Sequence, residues 1–326
     1  MNRRAFLSWS LLMLAVPRAA EAQPTGKVYR IGMLETLSAT LNTSNLEAFR
    51  QGLRELGYVE GQTFMIEYRS ADGRPERFPG LATELVRLKV DLIVTRGTPA
   101  VLAAKKATGS IPIVMATSAD PTEFGVVSSL AHPGANVTGL STNAVELAAK
   151  RVELLKEAIP RIARLAGLAN MSSPASASQW RQIEVAARSL ALEPQLLDVR
   201  ATEDLARAFD TAIKQHADAI IVANDTLTQT NFRGIVDLSA KHRLPSMFAS
   251  REFVDAGGLM AYGPNFTDLY RRAATYVDKI VKGAKPADLP IEQPTTFVLV
   301  INLKTATTFG LTIPPSLMLQ ASQVIE

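Results

Sequence analysis

The chain has 326 residues, a formal net charge of +4 and no cysteine. Its length predicts about two domains with an ordinary hydrophobic core, and the missing cysteines exclude disulfides, thiol nucleophiles, iron–sulfur centres and cysteine-based zinc sites. The small positive charge lacks the strong basic imbalance that is typical of general nucleic-acid-binding proteins, so we expect no nucleic-acid partner.

The N-terminus has the pattern of an export signal. Arg3 and Arg4 precede an apolar run over residues 5–16, and Ala20-Glu21-Ala22 supplies the small residues that a signal peptidase recognises. Because a bilayer core needs about 20 apolar residues, this shorter run predicts a cleavable signal peptide over residues 1–22 and not a membrane anchor. The arginine pair also fits the twin-arginine export route. With no cysteine to carry a lipid, the exported protein is expected in the periplasm.

Strand-like apolar runs alternate with amphipathic helical patterns from residue 27 onward. Residues 91–95 are almost continuously apolar, as a parallel strand covered on both faces should be. Leu46, Phe49 and Leu53 recur at helical spacing, and Gly57 predicts the end of that helix. A second helix is predicted to start at Thr98-Pro99. The strands predicted in this half are 28–34, 64–68, 91–95, 111–116 and 137–140.

The same alternation restarts in the second half of the chain. The apolar run at 219–223 resembles the run at 91–95, and each is followed by polar residues. Strands that alternate with helices favour doubly wound parallel sheets with right-handed crossovers, so the sequence predicts an α/β fold of two such lobes. The strands predicted here are 165–169, 195–199, 219–223, 246–249 and 259–262, and the helices are 175–191, 203–215 and 230–242.

Further elements follow after both predicted sheets are complete. They are a helix over residues 265–282, a strand over 296–301 and a short helix that ends at Phe309. We expect these segments to cross back between the lobes and form a multi-strand hinge. The predicted first lobe comprises residues 23–141 and 250–287, and the second lobe comprises residues 142–249 and 288–326.

Motifs for catalysis and for cofactors are missing from the sequence. His132, His216 and His242 are far apart and have no paired ligands at metal-binding spacing. The chain has no glycine-rich phosphate loop and no Gly-x-Ser-x-Gly nucleophile motif. We therefore expect no metal, no cofactor, no catalytic residue and no enzymatic activity.

Polar residues gather at the carboxyl ends of the predicted strands, where open α/β sheets bind their ligands. Most are small hydroxyl, amide or glycine residues, and helix starts nearby add N–H groups that can bind a carboxylate. Asp225 has two possible roles, as a residue of the site or as a cap of the loop. Phe248 and Tyr262 could either form apolar walls of the site or pack in the core. The predicted ligand-binding residues are Glu35, Thr36, Gly97, Thr98, Ser118, Ala119, Asp120, Asn170, Met171, Asn224, Asp225, Phe248, Arg251 and Tyr262.

Four stretches of sequence resemble a known family. They are Ser-Ala-Asp-Pro at 118–121, His-Pro-Gly-Ala-Asn-Val-Thr-Gly at 132–139, Tyr-Gly-Pro-Asn at 262–265 with Asp-Leu-Tyr-Arg-Arg-Ala-Ala at 268–274, and Glu-Gln-Pro-Thr at 292–295 with Ile-Asn-Leu-Lys-Thr-Ala at 301–306. The chain thereby resembles the substrate-binding proteins of ABC transporters in the tryptophan/tyrosine-type family, which have the type I periplasmic binding protein fold. Residues 226–229 depart from the Pro- or Leu-rich stretch that members often have there.

The resemblance implies a mechanism and a set of partners. Thr98 and Ser118 of the first lobe would hold a small amino acid, aromatic acid or other organic anion. Asn170, Asp225 and Arg251 of the second lobe would complete the ligand's surroundings when the lobes close. The closed monomer would then dock on a membrane permease, its only membrane contact, which a cytoplasmic ATPase drives.

Two other functions fit the same sequence. The exported fold could sense a ligand for a membrane receptor and transport nothing. More remotely, it could be an enzyme on a doubly wound fold, although the sequence supplies no nucleophile and base in matching positions.

Overall fold

The computed structural model describes residues 27–326, so the predicted signal peptide, residues 1–22, lies outside the described part. The first sheet has five parallel strands in the order β2-β1-β3-β4-β5. All five residues of β3 are buried, in agreement with the nearly continuous apolar run that predicted it. The elements are β1 (Tyr29–Glu35), α1 (Thr43–Glu55), β2 (Phe64–Ser70), α2 (Phe78–Arg87), β3 (Leu92–Arg96), α3 (Thr98–Ala107), β4 (Ile113–Thr117) and β5 (Val137–Gly139).

The second sheet has seven strands in the order β12-β11-β10-β9-β8-β6-β7. Its neighbouring strands pair in parallel, except that β11 runs antiparallel to β10. The elements are α4 (Glu146–Ala158), β6 (Arg164–Ala169), α5 (Pro174–Ser189), β7 (Glu193–Asp198), α6 (Asp204–Lys214), β8 (Ala219–Val222), α7 (Thr226–Thr230), α8 (Phe232–Lys241), β9 (Ser246–Phe248), α9 (Arg251–Asp255), β10 (Met260–Pro264), α10 (Phe266–Val281), β11 (Phe297–Asn302), α11 (Leu303–Thr308), α12 (Pro315–Gln320) and β12 (Gln323–Ile325).

The chain passes between the two sheets after β5, after β10 and before β11. Helix α10 follows β10 but packs against α1, β4 and β5 of the first lobe. Two of the crossing segments are hydrogen-bonded to each other, with Ser141 N donating to Glu292 O at 2.9 Å and Glu292 N donating to Gly139 O at 3.0 Å. These contacts form a hinge from several chain segments.

The lobe boundaries differ from the predicted ones in two places. Residues 251–264 belong to the second lobe, since β10 lies between β9 and β11 in the second sheet, whereas the prediction assigned residues 250–287 to the first lobe. Ile291, which the prediction placed in the second lobe, is buried in the core of the first. Apolar patterns show that a strand exists but not which sheet it joins.

Each sheet is covered by apolar side chains on both faces. In β1, Ile31 and Met33 face α1 and α10, whereas Leu34 faces α2 and α3. Phe248 in β9 is fully buried, and its ring stacks on Phe253 with centroids 4.4 Å apart. The prediction that Phe248 lines the ligand site is therefore wrong, because this ring belongs to the core. No helix within residues 27–326 is long and apolar enough to span a membrane.

Candidate ligand-binding site

The carboxyl ends of strands from both sheets meet at a narrow cleft that encloses about 50 Å³. Half of the predicted site residues line it, namely Thr36, Gly97, Thr98, Ser118, Ala119, Asn224 and Asp225. The sequence analysis missed the other lining residues, which are Pro99, Thr117, Thr142, Ala144, Ser173, Ala175, Thr226, Gln229 and Phe266.

The wall of the first lobe is formed by hydroxyl groups around the start of α3. Thr98 Oγ1 lies 3.2 Å from Ser118 Oγ and accepts a hydrogen bond from Ala119 N at 3.2 Å. Gly97 precedes the helix with a φ of +85°, a conformation that favours glycine. Because helix N-termini favour negative charge, hydroxyl donors at this position suit a carboxylate group.

The wall of the second lobe carries the one carboxylate among the described residues that line the cleft. Asp225 caps α7, and its Oδ1 accepts a hydrogen bond from Thr228 N at 2.8 Å. Burial raises the pKa of Asp225, and hydrogen bonds from Thr228 and Asn170 only partly offset that effect. No lysine or arginine is among the described residues that line this cavity, but Arg96 contacts Gln229 at its edge and lines an adjoining cavity of about 10 Å³ together with Gln229. The carboxylate of Asp225 favours a cationic group on the ligand.

Glu35 and Asp120 were predicted in the site but lie outside the cleft lining. Glu35 is fully buried in the first lobe, where its carboxylate accepts hydrogen bonds from Tyr270 Oη at 2.8 Å and Asn42 Nδ2 at 3.1 Å. Burial raises the pKa of Glu35 to about 7, even though Arg96, Tyr270 and Asn42 act in the opposite direction. Asp120 instead caps the turn after β4 and accepts from Thr122 N at 2.9 Å.

Four further predicted residues also lie outside the cleft lining. Asn170 is buried behind the second wall, where its Oδ1 accepts from Ser172 N at 3.0 Å. Met171 and Tyr262 pack against the core of the second lobe. Arg251 is exposed and pairs with Asp255 at 2.9 Å. That pair lies in a separate groove of about 360 Å³, so the structure does not place Arg251 in the lining of the cleft.

Phe266 supplies the aromatic ring among the described cleft residues. It is the first residue of α10, directly after a chain crossing, and it lines both the cleft and the separate groove. The guanidinium carbon of Arg96 lies 5.4 Å from the centre of its ring. The signal that pointed here was the Tyr-Gly-Pro-Asn motif at 262–265, which ends one residue before Phe266.

The two lobes are in contact across the cleft. Arg96 Nε of the first lobe donates a hydrogen bond to Gln229 Oε1 of the second at 3.0 Å. Elsewhere the carboxylate of Glu123 accepts from Ser178 Oγ, which itself accepts from Arg181 Nη2 at 2.6 Å. The lobes therefore have a closed arrangement, and a solute can enter the cleft only after they separate.

A family model described as "ABC transporter substrate binding protein" matches residues 31–325. The chain belongs to this family. The match covers both lobes and every strand of both sheets except the start of β1, and it confirms the family that the sequence motifs predicted.

Individual relatives agree with the family assignment. The tyrosine-binding protein of Clostridioides difficile is 25% identical over 257 residues, which is 78% of this chain and 73% of that protein. A Streptococcus pneumonia ABC domain in complex with L-Trp is 29% identical, with a TM-score of 0.83 over 92% of this chain and 100% of that one.

More distant structures support the fold alone. A ligand-free, open substrate-binding protein from Clostridium difficile has 23% identity and a TM-score of 0.66 over 91% of this chain and 99% of that one. These likenesses confirm the predicted fold of two α/β lobes, which is that of the type I periplasmic binding proteins.

Proposed function

We propose that this substrate-binding protein captures an α-amino acid, as its zwitterion, between the two lobes. The observation that carries the proposal is the distribution of charge around the cleft. Asp225 on the second wall can pair with an ammonium group. The hydroxyls of Thr98 and Ser118, at the start of α3, can hold a carboxylate from the first wall.

The same distribution makes a simple organic anion a poorer ligand than the sequence suggested. An anion without an ammonium group would leave Asp225 buried without a cation beside it, because the guanidinium of Arg96 reaches the cleft only through Gln229. Enclosing an unpaired charge is costly unless a partner or hydrogen bonds replace its water. An amino acid meets this requirement, whereas an aromatic acid without an amino group does not.

We infer an apolar, preferably aromatic, side chain on the ligand. Phe266 offers a ring face, and Pro99, Ala144 and Ala175 add small apolar surfaces. Two relatives support this choice, since one is a tyrosine-binding protein and the other was solved in complex with L-Trp. The cleft encloses only about 50 Å³, well below the roughly 300 Å³ or more of typical small-molecule sites, so such a ligand must displace side chains that line the cleft.

We infer that the closed, ligand-bound monomer delivers its solute to a membrane permease that a cytoplasmic ATPase drives. Membership of the ABC transporter family supports this role. The export pattern in residues 1–22 supports a periplasmic location, by the general or the twin-arginine route.

A thermal-shift screen of the mature protein tests the proposed ligand class. At about 100 times its Kd a ligand adds about 2.7 kcal/mol to the free energy of unfolding, which gives a clear rise in Tm. We expect such a rise with at least one amino acid, with L-tryptophan and L-tyrosine tested first. The matched controls are 3-(indol-3-yl)propionate, which lacks the ammonium group, and tryptamine, which lacks the carboxylate. The proposal would be overturned if the propionate stabilised the protein as strongly as tryptophan does. It would also be overturned if no amino acid stabilised the protein.

A further inference from the structure

We propose that Gln229 is a positioning residue that links closure of the lobes to the arrangement of the ligand-binding carboxylate. This inference rests on the proposed function, since it concerns the same cleft. It is drawn from a continuous chain of hydrogen bonds that starts at Arg96 in the first lobe and reaches Asn224, the neighbour of Asp225, in the second.

Arg96 gives the chain its electrostatic importance. Its side chain is 1% exposed, although none of the ion pairs within residues 27–326 includes it. Its Nη1 donates to Asn42 Oδ1 at 2.8 Å within the first lobe, and its Nε donates to Gln229 Oε1 across the cleft. Gln229 is thus the acceptor that the second lobe presents to this guanidinium when the lobes are closed.

The other end of Gln229 reaches the ligand-binding loop. Its Nε2 donates to Asn224 Oδ1 at 2.7 Å. The backbone of Asn224 is held by fully buried Gln179, which donates to Asn224 O and accepts from Asn224 N, both at 2.9 Å. Asn224 is therefore fixed on two sides, and Asp225 follows it directly.

Opening and closing change the surroundings of Arg96. When the lobes separate, Gln229 moves away and water can hydrate the Nε of Arg96. When they close, that donor loses its water, and the Gln229 carbonyl replaces it. A buried charged donor without an acceptor is strongly unfavourable, so the closed form depends on Gln229.

Three variants at this position test the inference, and ligand affinity is the first readout. Gln229→Leu removes the acceptor and is expected to weaken amino-acid binding about 10- to 100-fold, the range for a lost hydrogen bond to a charged group. Gln229→Glu keeps the acceptor for Arg96 and adds a charge opposite it but cannot donate to Asn224 Oδ1, so its lobes should still close while its affinity falls below that of the wild type. Gln229→Lys places a like charge there and should bind most weakly. The control is Gln195→Leu, a half-buried glutamine of the second lobe that lies outside the cleft.

The second readout is the distance between the lobes in the ligand-free protein. If Gln229 only contacted the ligand, its replacement would leave this distance unchanged. The chain has no cysteine, so dyes can be placed on Glu76→Cys and Gly234→Cys, exposed positions in the first and second lobes. Without ligand, the distance between the two dyes should be longer in Gln229→Leu and Gln229→Lys than in the wild type. In Gln229→Glu it should be shorter. Unchanged distances in all three would overturn the inference. If no amino acid bound the wild type, the proposed function would fail, but these ligand-free distances would still decide the role of Gln229.

Discussion

Replacement of Asp225 by asparagine is expected to weaken amino-acid binding by about 100-fold. Removal of one partner from a buried, hydrogen-bonded charge pair costs about 2–5 kcal/mol, and each 1.4 kcal/mol is tenfold in Kd. Asparagine caps helices as well as aspartate does, so α7 should keep its start and the fold should be preserved. Titration calorimetry of wild type and Asp225→Asn with the same amino acid measures the difference.

Asp120→Asn is the matched control for that experiment. The sequence placed both carboxylates in the site, but in the structure Asp120 caps a turn outside the cleft lining. We therefore expect its Kd to stay within about twofold of the wild type, as for a change that removes no ligand contact. The assignment of Asp225 to the ligand ammonium would be contradicted if both variants lost the same affinity, or if Asp225→Asn bound the amino acid as tightly as the wild type.

The Glu35 carboxyl is expected to make the protein less stable as the pH rises from about 4.5 to about 7. An unfolded glutamate titrates near 4.5, whereas burial raises the pKa of Glu35 in the folded protein to about 7. Between these values the folded state binds more protons than the unfolded state, so the free energy of unfolding falls as pH increases. At 1.36 kcal/mol per pKa unit the contribution is about 3 kcal/mol.

Glu35→Gln should remove this contribution, because glutamine keeps a hydrogen-bond acceptor for Tyr270 but does not ionise. Urea unfolding at pH 5 and pH 7.5 measures this effect. Between these pH values the free energy of unfolding should fall in the wild type, and in the variant it should fall less or rise. Glu76→Gln, at an exposed position in the same lobe, should keep the wild-type pH dependence. Parallel pH profiles for wild type and Glu35→Gln would show that Glu35 is not the group responsible.

Local patterns predicted most of the strands because local burial determines them. The runs at 91–95 and 219–223 became β3 and β8, whose residues are buried on both faces. Helix α4 was missed although its buried residues recur at helical spacing, because the buried Arg151 interrupts the apolar stripe.

The site was predictable where it depends on strand ends and was missed where it depends on chain crossings. Thr98, Ser118 and Asp225 follow strands directly, so the rule for open α/β sheets found them. Phe266 and Thr142 enter the cleft because the chain changes lobes beside them, and the sequence does not show which sheet a segment joins. Arg251 also follows a strand, but β9 ends beside the separate groove.

The most direct test of the proposed binding mode is a crystal structure of the mature protein with the amino acid that stabilises it most. It should show the ligand ammonium within hydrogen-bond distance of the Asp225 carboxylate, and the ligand carboxylate facing Thr98 and Ser118. A ligand seated in the groove beside Arg251 and Asp255, or one with its carboxylate turned toward Asp225, would contradict this account.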